Sequence, residues 1–395
     1  MRIAVNTRLL LKGKLDGIGW FTYETFKRIT REHPEHEFIF IFDRPFSEEF
    51  IFSENIRPVI IGPPARHPLL WYLWFEYSVP SVLKKYDADL FISPDGYLSL
   101  KSHVPSLAVI HDINFHHRPE DLPVITRIFY RRFFPLYAKK ADIIVTVSEY
   151  SKQDICNSYS VPVDKVKVVY NGANPNFKPL SPYEIVRVRN TYTSGKPYFV
   201  FVGNMHPRKN VPRLLQAYDL FRETYPENFR MVIVGEKMFM TAEIEKVLKQ
   251  MKHADEVIFT GRLESESLCQ VMGGAVALTF FPLFEGFGIP VLEAMYCDIP
   301  VLASNATSLP EVAGNAAIFA DPYDVRSMSG VMLSIIRDGN LLQDLIEKGR
   351  ERRKNFSWDI TANNVWKCIE KMIEKNRNRE EAKGREESVD QILED

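Results

Sequence analysis

Cysteine is scarce in this chain of 395 residues. The four present, Cys156, Cys269, Cys297 and Cys368, lie far apart and form neither a Cys-x-x-Cys pair nor a Cys/His cluster. That excludes a disulfide scaffold and a structural zinc site, and it fits a reduced, cytoplasmic setting. An excess of either charge is also missing. Lys+Arg number 50 against 51 Asp+Glu, a formal net charge of −1, so nothing global draws the molecule to nucleic acid and any basic patch must be local. Long apolar runs are absent too. None approaches the roughly 20 residues of a membrane-spanning helix, and the longest, AVALTFFPLF, reads as a buried strand. Any membrane contact is therefore expected to be peripheral. The start, MRIAVNTRLLLKGK, lacks the basic-then-apolar order of a signal peptide and is expected to belong to the fold.

What is present is globular and larger than one core usually grows. Hydrophobic residues make up 45% and charged residues 26%, and the length favours two domains. Short apolar runs suited to strands buried on both faces recur through the first half: RIAVNT, EFIFIF, RPVIIG, ADLFIS, PSLAVIHD, DIIVTVS and VKVVYNG. Helical segments separate most of them, including GWFTYETFKRI, LLWYLWFEYSVPSVLKKY and the aromatic, basic RIFYRRFFPLYAKK. A stretch rich in turn formers, NGANPNFKPLSP, reads as a connection. The rhythm then restarts with YFVFVG, RMVIVG, EVIFTG, VALTFFP, PVLASN and AAIFAD. The fold class is α/β, with two doubly wound, Rossmann-like domains and a ligand cleft expected between them. The expected boundaries are 1–193 and 194–356, with a helix over about 357–376 and a solvated charged tail over 377–395.

The chemistry centres on FPLFEGFGIPVLEAM. A strand there leads into a loop holding Glu285, Gly286, Phe287 and Gly288, then a helix opening at Ile289 and carrying Glu293. Glycines let backbone approach a ligand, and a helix start attracts an anion. The carboxylates then need hydroxyl partners. A phosphate between two polyols, the composition of a nucleotide sugar, satisfies both demands; a turn residue and a helix-face residue without a role is the plainer alternative. FVGNMHPRKN adds Gly203, Arg208 and Lys209 after another strand, cations able to neutralise a diphosphate. Taken alone, that pair is equally a solvated surface pair. Gly17 and Gly19 in LDGIGWF offer a second loop that could approach a ligand, and His111 with Asp112 ends a strand in AVIHD. Asp87 and Asp89 spell an Asp-x-Asp metal motif, but they precede their strand and so sit at the wrong sheet edge.

These segments, with VSEYSKQDI, VVYNGAN and PVLASNATSLPEVAGNAAIFADPYD, resemble the family 4 retaining glycosyltransferases of GT-B fold over nearly the whole chain to about Phe356. EGFGIPVLEAM matches the family's E-x7-E motif. The resemblance implies that Glu293 binds ribose hydroxyls, Glu285 the donor sugar, and Arg208 and Lys209 the diphosphate. It implies further that Gly203, Gly286, Phe287, Gly288 and Ile289 line the donor site, that the Gly17–Gly19 loop closes over the phosphates, and that His111 lies near the transferred sugar. The helix after Trp358 would cross back onto the first domain.

No metal and no cofactor are implied beyond the nucleotide-sugar donor; the similarity of the HPRKN and EGFGIPVLEAM segments suggests GDP-mannose, with UDP-glucose or another NDP-hexose left open. The acceptor would be a saccharide or lipid-linked saccharide, which RIFYRRFFPLYAKK could help dock at the cytoplasmic face of a membrane; the plainer reading of that segment is a helix with its aromatics packed inside. Other readings are a GT-B epimerase or phosphorylase, or a catalytically silent nucleotide-sugar-binding subunit. Two positions depart from the family pattern: Leu283 stands where serine is common, and Asp298 where glycine usually precedes the PV strand.

Overall fold

The computed structural model describes residues 1–236 and 242–394, with the side chains of 379–394 outside the description. It contains two compact units, Met1–Tyr170 with Trp358–Asp395, and Asn171–Ser357.

The first unit holds a seven-stranded, fully parallel sheet. Its strands are β1 (Arg2–Asn6), β2 (Glu37–Phe42), β3 (Ile56–Ile60), β4 (Leu90–Ser93), β5 (Ser106–Val109), β6 (Ile143–Thr146) and β7 (Val166–Val168). They lie in the order β3-β2-β1-β4-β5-β6-β7. Successive side chains alternate faces. Ala4, Ile39 and Ile41 join one core with the helices Pro68–Leu73, Val79–Lys85 and Val124–Lys140, while Ile3, Val5, Phe38 and Phe40 join another with the helix Gly17–Glu32. The final helix, Trp358–Glu394, inserts Trp358, Val365, Ile369 and Met372 into that second core. Its backbone continues through the stretch read as a solvated tail from 377.

The second unit carries six parallel strands: β8 (Tyr198–Val202), β9 (Arg230–Val234), β10 (Val257–Gly261), β11 (Ala277–Phe280), β12 (Val301–Ser304) and β13 (Ala317–Ala320). Their order is β10-β9-β8-β11-β12-β13. In both sheets the order reverses beside the first strand, and loops leaving the carboxyl ends diverge there to leave room for a ligand.

The second unit begins at Asn171 rather than near 194. A helix over Pro182–Thr193 follows directly on the stretch read as the connection, started by a capping box in which Ser181 and Glu184 bond each other's backbone N–H. It belongs to the second unit because Val188 and Leu180 fill the space left by Gly274 and Gly273, and Arg189 Nε donates to the Gly274 carbonyl at 3.0 Å.

Candidate active site

The reversal between β8 and β11 brings together the two segments that the sequence singled out. After β8 the chain makes a short helical turn, Pro207–Lys209, capped by His206, whose Nδ1 accepts from the Arg208 N–H. After β11 the loop runs through Phe281–Gly288 into the helix Ile289–Tyr296. Backbone ties the two loops: Leu283 N–H donates to the Arg208 carbonyl at 2.8 Å. Because that bond uses main chain, leucine can stand at this position without disturbing it. Asn210, buried and at a φ of 62°, donates to the Phe281 carbonyl at 3.0 Å and the Pro322 carbonyl at 2.7 Å. It pins the cationic turn to two neighbouring loops.

So held, Arg208 Nη1 and Lys209 Nζ meet the same oxygen, Glu285 Oε2, at 2.8 and 2.6 Å. Arg208 also donates to the Phe284 carbonyl at 3.1 Å, and the Lys209 ammonium lies 4.9 Å from the Phe280 ring centre. The side chains are 18%, 9% and 13% exposed for Arg208, Lys209 and Glu285, enough shielding for their charges to interact strongly. Burial alone would raise the Glu285 carboxyl; Lys209 and Arg208 overcome it and hold the group below its ordinary value. The loop carrying Glu285 is clamped from the other side. Thr307 Oγ1 accepts the Glu285 N–H at 3.2 Å, and Ser308 Oγ donates to the Glu285 carbonyl at 2.9 Å. Sequence reasoning overlooked Asn210, Thr307 and Ser308 as positioning residues, although NATS lay inside a segment already matched to the family.

Glu293 sits on the next helix in a different environment. Burial pushes its carboxyl up to about 8, and no cation among the described residues pairs with it. The nearby Cys269 and Cys297 thiols are raised by burial as well, with Glu293 adding to the effect, so they are neutral company. A buried carboxyl without a charged partner is a costly arrangement, of the kind that marks functional positions.

Gly288 ends the loop at a φ of 96°, and a Cβ there would collide with Leu309 Cδ2. Gly288→Ala is expected to destabilise the protein by about 2 kcal/mol and displace the helix start. Thermal unfolding with donor titration checks both effects. Gly203 leaves β8 at a φ of 154° beside Lys209 Cε. Gly286 lies in the same loop as Glu285, Phe287 is a packed side chain set edge-to-face on Phe356 at 5.9 Å, and Ile289 opens the helix. Asp298 adopts a φ of 57° and accepts Arg350 and Arg353 at 2.8 and 2.9 Å, so the departure from glycine is compensated by two ion pairs.

The remaining expected residues lie in the first unit. Gly17 and Gly19 form no open loop: Gly17 starts the helix Gly17–Glu32, and the Gly19 N–H is taken by the capping Asp16 carboxylate at 2.9 Å. Asp16, immediately upstream, was the overlooked sign of a helix start. His111 follows β5 with Nε2 on the Pro94 carbonyl at 2.9 Å and its ring edge-on to Phe21 at 5.0 Å. Burial lowers its imidazole below the ordinary value despite the Pro94 bond and nearby Asp112, Asp16 and Asp95. Asp87 and Asp89 are engaged by Arg2, through its guanidinium at 3.1 Å and its N–H at 2.7 Å, at the amino edge of β4. A buried Arg8–Asp95 pair at 2.6 Å, with Asn6 also on Asp95, braces the first sheet's reversal between β1 and β4; neither residue had stood out in the sequence.

Two successive sheets of this order have solved counterparts. The chain matches the sucrose-phosphate synthase of Thermosynechococcus elongatus with a TM-score of 0.77 at 16% identity, over 95% of this chain and 99% of that one. The architecture is that of the GT-B class. Residues 15–177 match the family model Glycosyltransferase Family 4, and residues 184–352 match Glycosyl transferases group 1. The chain belongs to glycosyltransferase family 4. It is 27% identical over 360 residues to the O-antigen chain mannosyltransferase B of Escherichia coli, covering 88% of this chain and 94% of the relative. It is 24% identical over 296 residues to the O-antigen chain mannosyltransferase RfbU of Salmonella typhimurium, covering 74% and 76%.

Proposed function

We propose that this glycosyltransferase moves mannose from GDP-mannose to a hydroxyl of a saccharide or lipid-linked saccharide, with retention of anomeric configuration, in building a polysaccharide. The observation carrying the mechanism is the single carboxylate oxygen shared by Arg208 and Lys209. Both cations stand at the sheet's reversal, preplaced to meet a diphosphate. As the bond to the sugar breaks, negative charge grows on the leaving diphosphate, and these preplaced cations stabilise it. Glu285 then serves the oxocarbenium-like sugar, by position and by its negative charge. Glu293 accepts hydrogen bonds from the ribose. The leaving phosphate takes the proton of the incoming hydroxyl on the same face. In this reading the cations do the work of a divalent metal, and none is required. The two relatives named as mannosyltransferases support the choice of sugar.

Nucleotide release from a panel of GDP-, UDP- and dTDP-sugars, with pooled oligosaccharide and lipid-linked acceptors, tests the donor. Acceptor-dependent release of GDP from GDP-mannose is expected. Release from another donor alone would overturn the assignment, and donor binding without any turnover would point to a silent subunit.

We also propose peripheral contact with an anionic membrane at the cytoplasmic face, through the helix Val124–Lys140. Its aromatics Phe129, Phe134 and Tyr137 are buried, as the plainer sequence reading held. The outward stripe nevertheless exposes Val124, Ile125, Ile128 and Leu136 beside Arg131, Arg132 and Lys139, with no acidic residue in the helix. No helix among the described residues is long and apolar enough to cross a membrane. Replacing both Ile125 and Ile128 by aspartate is expected to weaken binding to anionic vesicles about tenfold in co-sedimentation, while transfer to a soluble acceptor is unchanged.

A further inference from the structure

A groove of about 780 Å3 opens in the first unit where the loops after β1, β2 and β3 leave the carboxyl edge of the sheet. Its cations are Lys12 and Lys14 from the first loop, Arg44 from the second and Arg66 from the third, and Phe46 and Phe50 supply an aromatic wall. Among the described residues, no acidic one lines it. Arg44 is neutralised from behind, held by both oxygens of buried Asp43 at 2.6 Å. Lys12, Lys14 and Arg66 are exposed, and among the described residues none of their side chains pairs with an acid. Glu48 and Glu49, on the same short turn as Phe50, do not line the groove. Asp16, at the end of the first loop, is turned to the helix cap.

Lys12 and Lys14 from one loop and Arg66 from another, converging on one concave site in a chain with almost no net charge, are a local device rather than an overall bias. The volume suits a ligand of several rings, the cations suit phosphate, and the aromatic wall suits a sugar or prenyl face. We propose that the groove takes a phosphate group carried by the acceptor, so that the enzyme prefers a phosphorylated or diphosphate-linked saccharide to the neutral one. The inference rests on the transfer proposed above, to a saccharide or lipid-linked saccharide, and adds that the first unit holds the acceptor while the second holds the donor.

The test uses the full chain and the triple variant Lys12→Glu, Lys14→Glu, Arg66→Glu. With the donor site saturated by nucleoside diphosphate, inorganic diphosphate is titrated by calorimetry. Binding is expected in the wild type and lost in the variant; no second-site binding in the wild type would overturn the proposal. In transfer assays, the KM for a saccharide bearing a reducing-end phosphate is expected to rise about tenfold in the variant, with kcat, donor KM and the KM of the neutral saccharide unchanged. Equal effects on both saccharides, or no effect on either, would overturn it. A variant that loses only binding to anionic vesicles, with the KM of the soluble phosphorylated acceptor unmoved, would assign the groove to lipid headgroups and likewise refute the acceptor reading. Should no donor be turned over, the proposed transfer fails, and the titration alone still decides the groove.

Discussion

Lys209→Ala is expected to lower kcat about a hundredfold or more while shifting the unfolding temperature by only a few degrees. Arg208 and Lys209 both meet Glu285 Oε2. Removing Lys209 takes a cation away from the departing diphosphate, while Arg208 still holds Glu285. Glu285 keeps a partner, so the heavy destabilisation that follows stranding a buried charge is avoided. Parallel measurement of kcat and thermal unfolding separates the two effects. Loss of activity matched by loss of folded protein would make Lys209 a structural cation and remove it from the mechanism.

Glu293→Gln is expected to stabilise the free protein in alkaline solution and weaken donor binding about tenfold or more. Burial raises the Glu293 carboxyl to about 8 in the fold, above the ordinary 4.5. A group raised in this way contributes its stabilising neutral form fully below the unfolded value, and that contribution is lost as pH rises through about 8. The penalty for the ionised, buried carboxylate, a few kcal/mol, is therefore complete above pH 8 and escaped by glutamine. Ribose hydroxyls would relieve the same penalty by donating to the carboxylate, so donor binding below pH 8 should release a proton. Unfolding curves at pH 6 and 9, together with donor calorimetry in buffers of different ionisation enthalpy, check this. A glutamine variant less stable at pH 9, or one binding donor as the wild type does, would show that Glu293 serves the fold alone.

The thirteen strands among the described residues were legible because short β-branched and aromatic runs bounded by turn residues are too short for helices and suit strands. The adjacency of Arg208 and Glu285 was not legible. It depends on β8 lying beside β11, a pairing set by packing across the sheet rather than by any local signal. Asn210 was hidden for a related reason, since its partners Phe281 and Pro322 are remote in sequence. By contrast, two differences were readable in principle. The Ser181–Glu184 capping box announces a helix directly after the stretch read as a connection, and Asp16 announces the helix start where an open glycine loop was expected. Gly19 accordingly packs under a turn, with Leu9 O and Leu15 Cδ2 each 3.1 Å from where a Cβ would stand.

The most direct test follows the anomeric proton of the transferred sugar by NMR, in EDTA, from the donor identified by nucleotide release. A product with the donor's anomeric configuration, formed at a rate indifferent to EDTA, is the result expected if Arg208 and Lys209 carry the leaving diphosphate while the acceptor enters on the same face. An inverted product, or transfer abolished by EDTA, would contradict that account.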